Sequence, residues 1–257
     1  MRRHFTFECE GSRLVATLDD GKSNTGLLLV TGGNEIRAGA WAGQALFAAE
    51  IARAGYPVMR FDRRGCGDSE GLNAEFRGSR ADLAAALAAF RAHCPHVRRV
   101  VAMGNCDAAS ALMLAQGSGA DGLILSNPWT FEEGESEEAP PEAVRHHYRG
   151  RLSDWNAIKR LLTGKVAIKP LVRSLISATR APPPPTTLAQ DMAKGIEDFM
   201  GPMRFLIAER DRTGLAFQAI WPRDDSRNRR CPDATHSFVE GQAREWLIQQ
   251  TCNVLQE

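Results

Sequence analysis

The chain has no apolar run long enough to cross a bilayer: the stretches 27–30 and 122–125 are among the longest, against the roughly 20 residues that a membrane helix needs. Nor has it an excess of charge. Its 32 Lys and Arg stand against 31 Asp and Glu for a net +1, so no overall field draws it to nucleic acid or to anionic lipid. The six cysteines, at 9, 66, 94, 106, 231 and 252, include no C-x-x-C pair, which argues against a zinc site and against a disulfide framework. Free thiols in a reducing compartment are the simpler reading. There is no glycine-rich phosphate loop of the Walker or dinucleotide type, and His146-His147 lacks a metal-ligand context, so no metal or organic cofactor is expected. The start, Arg2-Arg3 followed by His4-Phe5-Thr6-Phe7-Glu8, lacks the apolar centre and small-residue cleavage site of a secretory signal, and a cytoplasmic protein is expected. No internal repeat is visible.

What is present is ordinary globular composition, 43% hydrophobic and 25% charged over 257 residues, which suits one α/β domain spanning 1–257. Residues 5–9 and 13–18 read as an antiparallel hairpin about the turn Glu10-Gly11-Ser12. Apolar strands are expected at 27–30, 57–61, 100–103, 122–126 and 204–208. Between them helices are expected at 41–54, with Ala42, Leu46, Ala49 and Arg53 on one face, at 80–93, with Leu83, Leu87 and Phe90 inward, and at 106–116. A closing helix over 239–254 would use Val239, Ala243, Trp246 and Leu247. Alternating strands and helices with short connections mean right-handed crossovers and a mostly parallel sheet covered on both faces. The rhythm breaks over 131–201, where acidic residues 132–138, a basic stretch and four prolines at 182–185 suggest a helical cap inserted in the domain.

The chemistry gathers at residues 100–109, a strand, a sharp turn and a helix, with small residues two before and two after Cys106: G-x-C-x-A where serine hydrolases carry G-x-S-x-G. Small neighbours are needed because a nucleophile in a strained turn leaves no room for side chains against strand and helix. A cysteine at a helix N-terminus also meets partial positive charge that favours the thiolate. Downstream, Asp211 follows the strand at 204–208, and His236 lies just before the last helix. The order is nucleophile, acid, histidine. Asp225 and Asp233 are rivals for the acid, and the polar run 221–231 leaves the strand before His236 poorly marked.

With that order the chain resembles the α/β-hydrolases over most of its length outside the insertion, and residues 62–69, Asp-Arg-Arg-Gly-Cys-Gly-Asp-Ser, resemble that superfamily's structural D-x-R-G-x-G-x-S turn. Segments 31–39 and 104–110 resemble the exosortase A system-associated hydrolase 1 group, which implies a hydrolase encoded with exopolysaccharide and protein-sorting systems. A likeness to dienelactone hydrolase implies a Cys-His-Asp triad and gives Glu35 a place from which to contact the thiol; a solvent-facing loop carboxylate is the alternative. In this reading Cys106 attacks an ester or thioester of a small-molecule acyl substrate, His236 takes the thiol proton and Asp211 orients the imidazole. The oxyanion is received by the N–H of Asp107 and an N–H of the Gly33-Asn34 loop.

Three alternatives stay open: an acyltransferase on the same triad, a hydrolase fold retained as a non-catalytic binding module, and a redox role for Cys106 with a partner such as Cys66. The basic residues of the insertion, among them Arg145, Arg149, Lys159 and Arg173, either meet an anionic substrate group or form a solvated face.

Overall fold

The computed structural model describes residues 1–132 and 186–257. Eight strands form one sheet: β1 (Arg2–Cys9), β2 (Ser12–Asp19), β3 (Thr25–Val30), β4 (Val58–Phe61), β5 (Arg99–Asn105), β6 (Gly122–Ser126), β7 (Met203–Ala208) and β8 (Asn228–Cys231), in the spatial order β1-β2-β4-β3-β5-β6-β7-β8. The first two are the expected hairpin, closed by Glu10 and Gly11, both at positive φ. β2 runs antiparallel to β4, and every later pairing is parallel. The expected α/β class with a mostly parallel sheet is what the chain forms.

Side chains alternate between the two faces of each central strand, and both sets are buried. Leu28, Ala102, Leu125 and Phe205 enter one core, and Leu27, Val101, Ile124 and Leu206 enter the other. Helices α2 (Arg80–His93) and α3 (Asp107–Leu114) cover the first side, joined by α4 (Thr187–Gly195); α1 (Gly43–Arg53) and α6 (Gly241–Gln256) cover the second. A parallel strand buried on both faces must be apolar at successive positions, which is why 27–30 and 122–126 lack alternation in sequence.

Several expectations are corrected in detail. The helix after β3 begins at Gly43, because Trp41 and Ala42 take left-handed φ of 54° and 58°, and its inner face is Phe47, Ala48 and Ile51, whereas Leu46 is 58% exposed. Val239 lies outside the last helix and is 71% exposed, since positive φ at Phe238 breaks the chain before Glu240 caps α6. A helix absent from the expectations, α5 (Arg212–Ile220), follows β7. Of the expected insertion 131–201, residues 133–185 lie outside the described residues, with the basic stretch and the four prolines among them. Its last part is α4, whose Leu188 and Met192 join the core beside α3.

β3 pairs with β4 on one side and β5 on the other, so the connections leave this point in opposite directions. The loop after β3 and the turn after β5 therefore diverge around a crevice at the strands' C-terminal ends, the place where open α/β sheets bind ligands. No helix of the described residues is long and apolar enough to cross a membrane.

The two faces of α1 are separable by mutation. Ile51→Ala is expected to destabilise the fold by about 2–5 kcal/mol and Leu46→Ala by no more than about 0.5 kcal/mol in urea unfolding.

Candidate active site

Cys106 stands at φ 61° and ψ −127° between β5 and α3, a strained conformation for a residue with a Cβ. The turn is possible only because its neighbours are small. A Cβ on Gly104 would come within 2.6 Å of the Ala108 backbone, and Ala108 itself is fully buried against the strand. The main chain is tied on both sides, with the Cys106 N–H donating to the Ser126 carbonyl at 2.9 Å and the Trp129 N–H donating to the Cys106 carbonyl at 3.3 Å. The side chain is left half-exposed at the crevice. Ser110 and Ser126, the nearby hydroxyls, are buried at 0% and 1% exposure and face no solvent.

The residues nominated from sequence converge. His236, on the loop after β8, has Nδ1 3.0 Å from Asp211 Oδ1, and Cys106 lies near enough to the imidazole to act on its titration. Asp211 is 9% exposed in its side chain and His236 41%. The Asp211 carboxylate divides its work: one oxygen meets the imidazole, and the other accepts the Gly214 N–H at 2.9 Å as the N-cap of α5. First the Asp211 hydrogen bond and then Cys106 push the His236 pKa up to about 10, against a smaller opposing effect of burial. The rivals lie elsewhere. Asp225 is held by Arg227 and Trp221, whose hydrogen bonds overcome burial and bring its pKa down to about 2, and Asp233 is exposed.

The loop after β3 is arranged in a way the sequence did not suggest. The Gly33 N–H, expected to face an oxyanion, donates instead to Asp107 Oδ2 at 2.7 Å, and a Cβ on Gly32 would meet Asp107 Oδ1 at 2.2 Å. The Gly33 carbonyl accepts from the buried guanidinium of Arg63, in the 62–69 turn. Because a trans peptide points its N–H opposite to its C=O, this fixes the Asn34 N–H away from Arg63, and among the described residues that N–H has no hydrogen-bond partner. The Asp107 N–H, in the first turn of α3, likewise has no partner among the described residues, as the opening N–H groups of a helix have none within the helix. Glu35 turns to its own loop: its oxygens accept from the Ala40 N–H at 2.7 Å and the Gln44 amide at 2.9 Å, and neither is hydrogen-bonded to Cys106.

The remaining five cysteines are free thiols whose pKa values are pushed up by burial. Among the described residues no group of three His, Cys, Asp or Glu side chains is disposed to hold a metal ion.

A parallel sheet with a switch point, a strained strand-turn-helix elbow beside it, and an acid and a histidine delivered from two later strands define the α/β-hydrolase class. The chain belongs to the alpha/beta hydrolase family, whose model matches residues 27–250. Among solved structures it is similar to the esterase Pf2001 of Pyrococcus furiosus, with a TM-score of 0.64 at 18% identity over 100% of this chain and 92% of the other. The α/β hydrolase GrgF from Penicillium sp. sh18 superposes with a TM-score of 0.64 at 16% identity, over 99% of this chain and 98% of the other. A thioesterase domain from the curacin biosynthetic pathway gives 0.55 at 14% identity, with 100% of both chains covered. At these identities the likeness is one of fold. No curated protein matches the sequence at a significant level.

Since the His236 pKa is raised in the folded protein, the imidazole's contacts stabilise the fold in full below about pH 6.5 and lose that effect as the pH rises through about 10. Asp211→Asn retains an acceptor for the Gly214 N–H but presents an amide to His236. The expected outcome is a fall of the His236 titration midpoint from about 10 toward 6.5, followed by NMR of the imidazole, with the wild-type stability advantage narrowing across the same pH window.

Proposed function

We propose that this protein is a cysteine-dependent hydrolase of ester or thioester bonds that works through an acyl-enzyme on Cys106. The observation that carries the reading is the Asp211 carboxylate 3.0 Å from the His236 imidazole, with Cys106 close enough to raise the pKa of that imidazole, at the open end of the sheet's switch point. Membership of a hydrolase family supports it, as do neighbours that include an esterase and a thioesterase.

In the proposed reaction the proton shared by sulfur and imidazole rests on His236, and the sulfur attacks the acyl carbonyl carbon. The carbonyl π pair moves to oxygen, and the resulting oxyanion is received by the N–H groups of Asp107 and Asn34, which have no other partners among the described residues. Gly33 would add a third donor only if the Asp107 carboxylate released it. As the C–O or C–S bond breaks, His236 gives its proton to the departing alcohol or thiol. Neutral His236 then takes a proton from water, whose oxygen attacks the thioester, and collapse frees the acid and returns the proton to the Cys106–His236 pair. Asp211 holds Nδ1 protonated throughout, so that Nε2 faces the sulfur. Glu35, with both oxygens engaged in its own loop, takes no part in this scheme.

A thiol nucleophile suits a reducing cytoplasm, and all six cysteines are unpaired. The likeness of segments 31–39 and 104–110 to the exosortase-associated group supports service beside exopolysaccharide and protein-sorting systems.

Cys106→Ala is expected to lower single-turnover release from p-nitrophenyl and coenzyme A esters by roughly 10³-fold or more, with wild type showing an acyl adduct on Cys106 by mass spectrometry. Equal rates in the two proteins would remove Cys106 as nucleophile. In the same wild-type protein iodoacetamide at pH 6.5 should label Cys106 ahead of Cys9, Cys66, Cys94, Cys231 and Cys252, whose thiols are held protonated by burial.

A further inference from the structure

The main chain of His236 is held by two asparagines from other strands. Asn127, fully buried just past the end of β6, donates through Nδ2 to the His236 carbonyl at 3.1 Å and to Asn105 Oδ1 at 3.2 Å. Asn105, the last residue of β5, donates through its own Nδ2 to the same carbonyl at 3.2 Å. The Asn127 Oδ1 in turn accepts the Ala208 N–H at 2.8 Å, at the end of the strand that leads to Asp211. The amide orientation has one solution: the Ala208 N–H can only donate, so Oδ1 must face it and Nδ2 must face the two oxygens. Space for the amide is made by Gly214, where a Cβ would come within 2.6 Å of Oδ1. Asn127 is itself at φ 42°, a conformation that asparagine tolerates better than most residues, and its N–H is fastened to the Leu206 carbonyl at 3.0 Å.

One buried amide thus joins the ends of the strands that carry all three proposed reacting groups: β5 before Cys106, β7 before Asp211, and the loop bearing His236. The loop is also pinned on either side of His236, by the Arg210 N–H on the Ala234 carbonyl at 3.0 Å and by the buried Phe238 stacked on Trp246, but among the described residues the two asparagines are the donors to the His236 carbonyl itself. We propose that Asn127, with Asn105, is a positioning residue that clamps the His236 backbone and so sets the imidazole between Cys106 and Asp211; this rests on the reading of those three residues as a triad. Neither asparagine needs to touch substrate. Three fixed contacts on one amide are what such a clamp requires, because an error of about 1 Å in a catalytic group can cost on the order of 100-fold in rate.

The test is Asn127→Asp, which keeps the shape and the bond from the Ala208 N–H but turns an acceptor toward the His236 and Asn105 oxygens. The expected result is a kcat lower by roughly 10- to 100-fold with KM little changed, and a matching slowing of Cys106 alkylation at pH 6.5. Relative to wild type, the alkylation defect should shrink on acidification, because a protonated carboxyl can again donate; a role in stability alone would lower the melting midpoint and leave that pH dependence unmoved. If Asn127→Asp does not fold, Asn105→Ala, at a half-exposed position, removes one donor from the same carbonyl and is read the same way. A folded variant with wild-type kcat and alkylation profile, alongside an inactive Cys106→Ala, would overturn the clamp and leave the triad standing. Full turnover by Cys106→Ala would overturn both.

Discussion

The left-handed turn at Cys106 is the constraint from which the rest of the site follows. A residue with a Cβ is held at φ 61° only where its surroundings over-determine it, and here they do so from both sides, through Gly104 and Ala108 below and the Ser126 and Trp129 hydrogen bonds beside it. The turn reverses the chain from the end of β5 into α3 within one residue. Its side chain is thereby lifted clear of β5, whose residues 100–104 are buried, and among the described residues the first N–H of α3 beside it has no partner. The proposed nucleophile and one proposed oxyanion donor are two consequences of the same backbone strain.

The facing loop is shaped by the same economy of small residues and fixed charges. Arg63 holds the Gly33 carbonyl and Asp107 holds the Gly33 N–H, so successive peptides are oriented by two charged side chains from different parts of the chain. The 62–69 turn, which in sequence looks purely architectural, reaches the site through Arg63. Asp107 deserves the same remark from the other direction: its negative charge, one residue from the sulfur, is drawn off onto a backbone donor of the β3 loop, and only glycine at 32 lets it approach.

Much of this was legible in the residues, for identifiable reasons. Strands buried on both faces announce themselves as unbroken apolar runs, and α2 carried its inward Leu83, Leu87 and Phe90 at helical spacing. Cys106, Asp211 and His236 could be picked out by their order relative to strands. What failed was whatever depends on a single dihedral or on distant partners. The face of α1 was misjudged because Trp41 and Ala42 are left-handed and shift the helix start. The strand β8, Asn-Arg-Arg-Cys, has no apolar signature because an edge strand pairs on one side only. Helix α5 had a readable start, Asp211 as N-cap with Gly214 three residues on, but Asp211 had been given only its role toward His236. Asn127 carries no local signal, since its partners at 105, 208 and 236 are distant along the chain.

The double duty of Asp211 explains how a buried carboxylate is tolerated where a proton must be managed. A lone charge at 9% exposure would be costly, but one oxygen lies at the N-terminus of α5 and the other on an imidazole that it helps to keep protonated. Cys106 stands at the N-cap of α3, but unlike Asp211 its side chain makes no cap hydrogen bond. In the reaction we propose, the row at the moment of attack would run helix terminus, carboxylate, imidazolium, sulfur, helix terminus, with the sign of charge alternating along it. Such an arrangement needs no surrounding counter-ion, and it ties the charge of His236 to the placement of α3 and α5. In the proposed reaction, any movement of either helix end would be felt first as a change in where the proton between Cys106 and His236 rests.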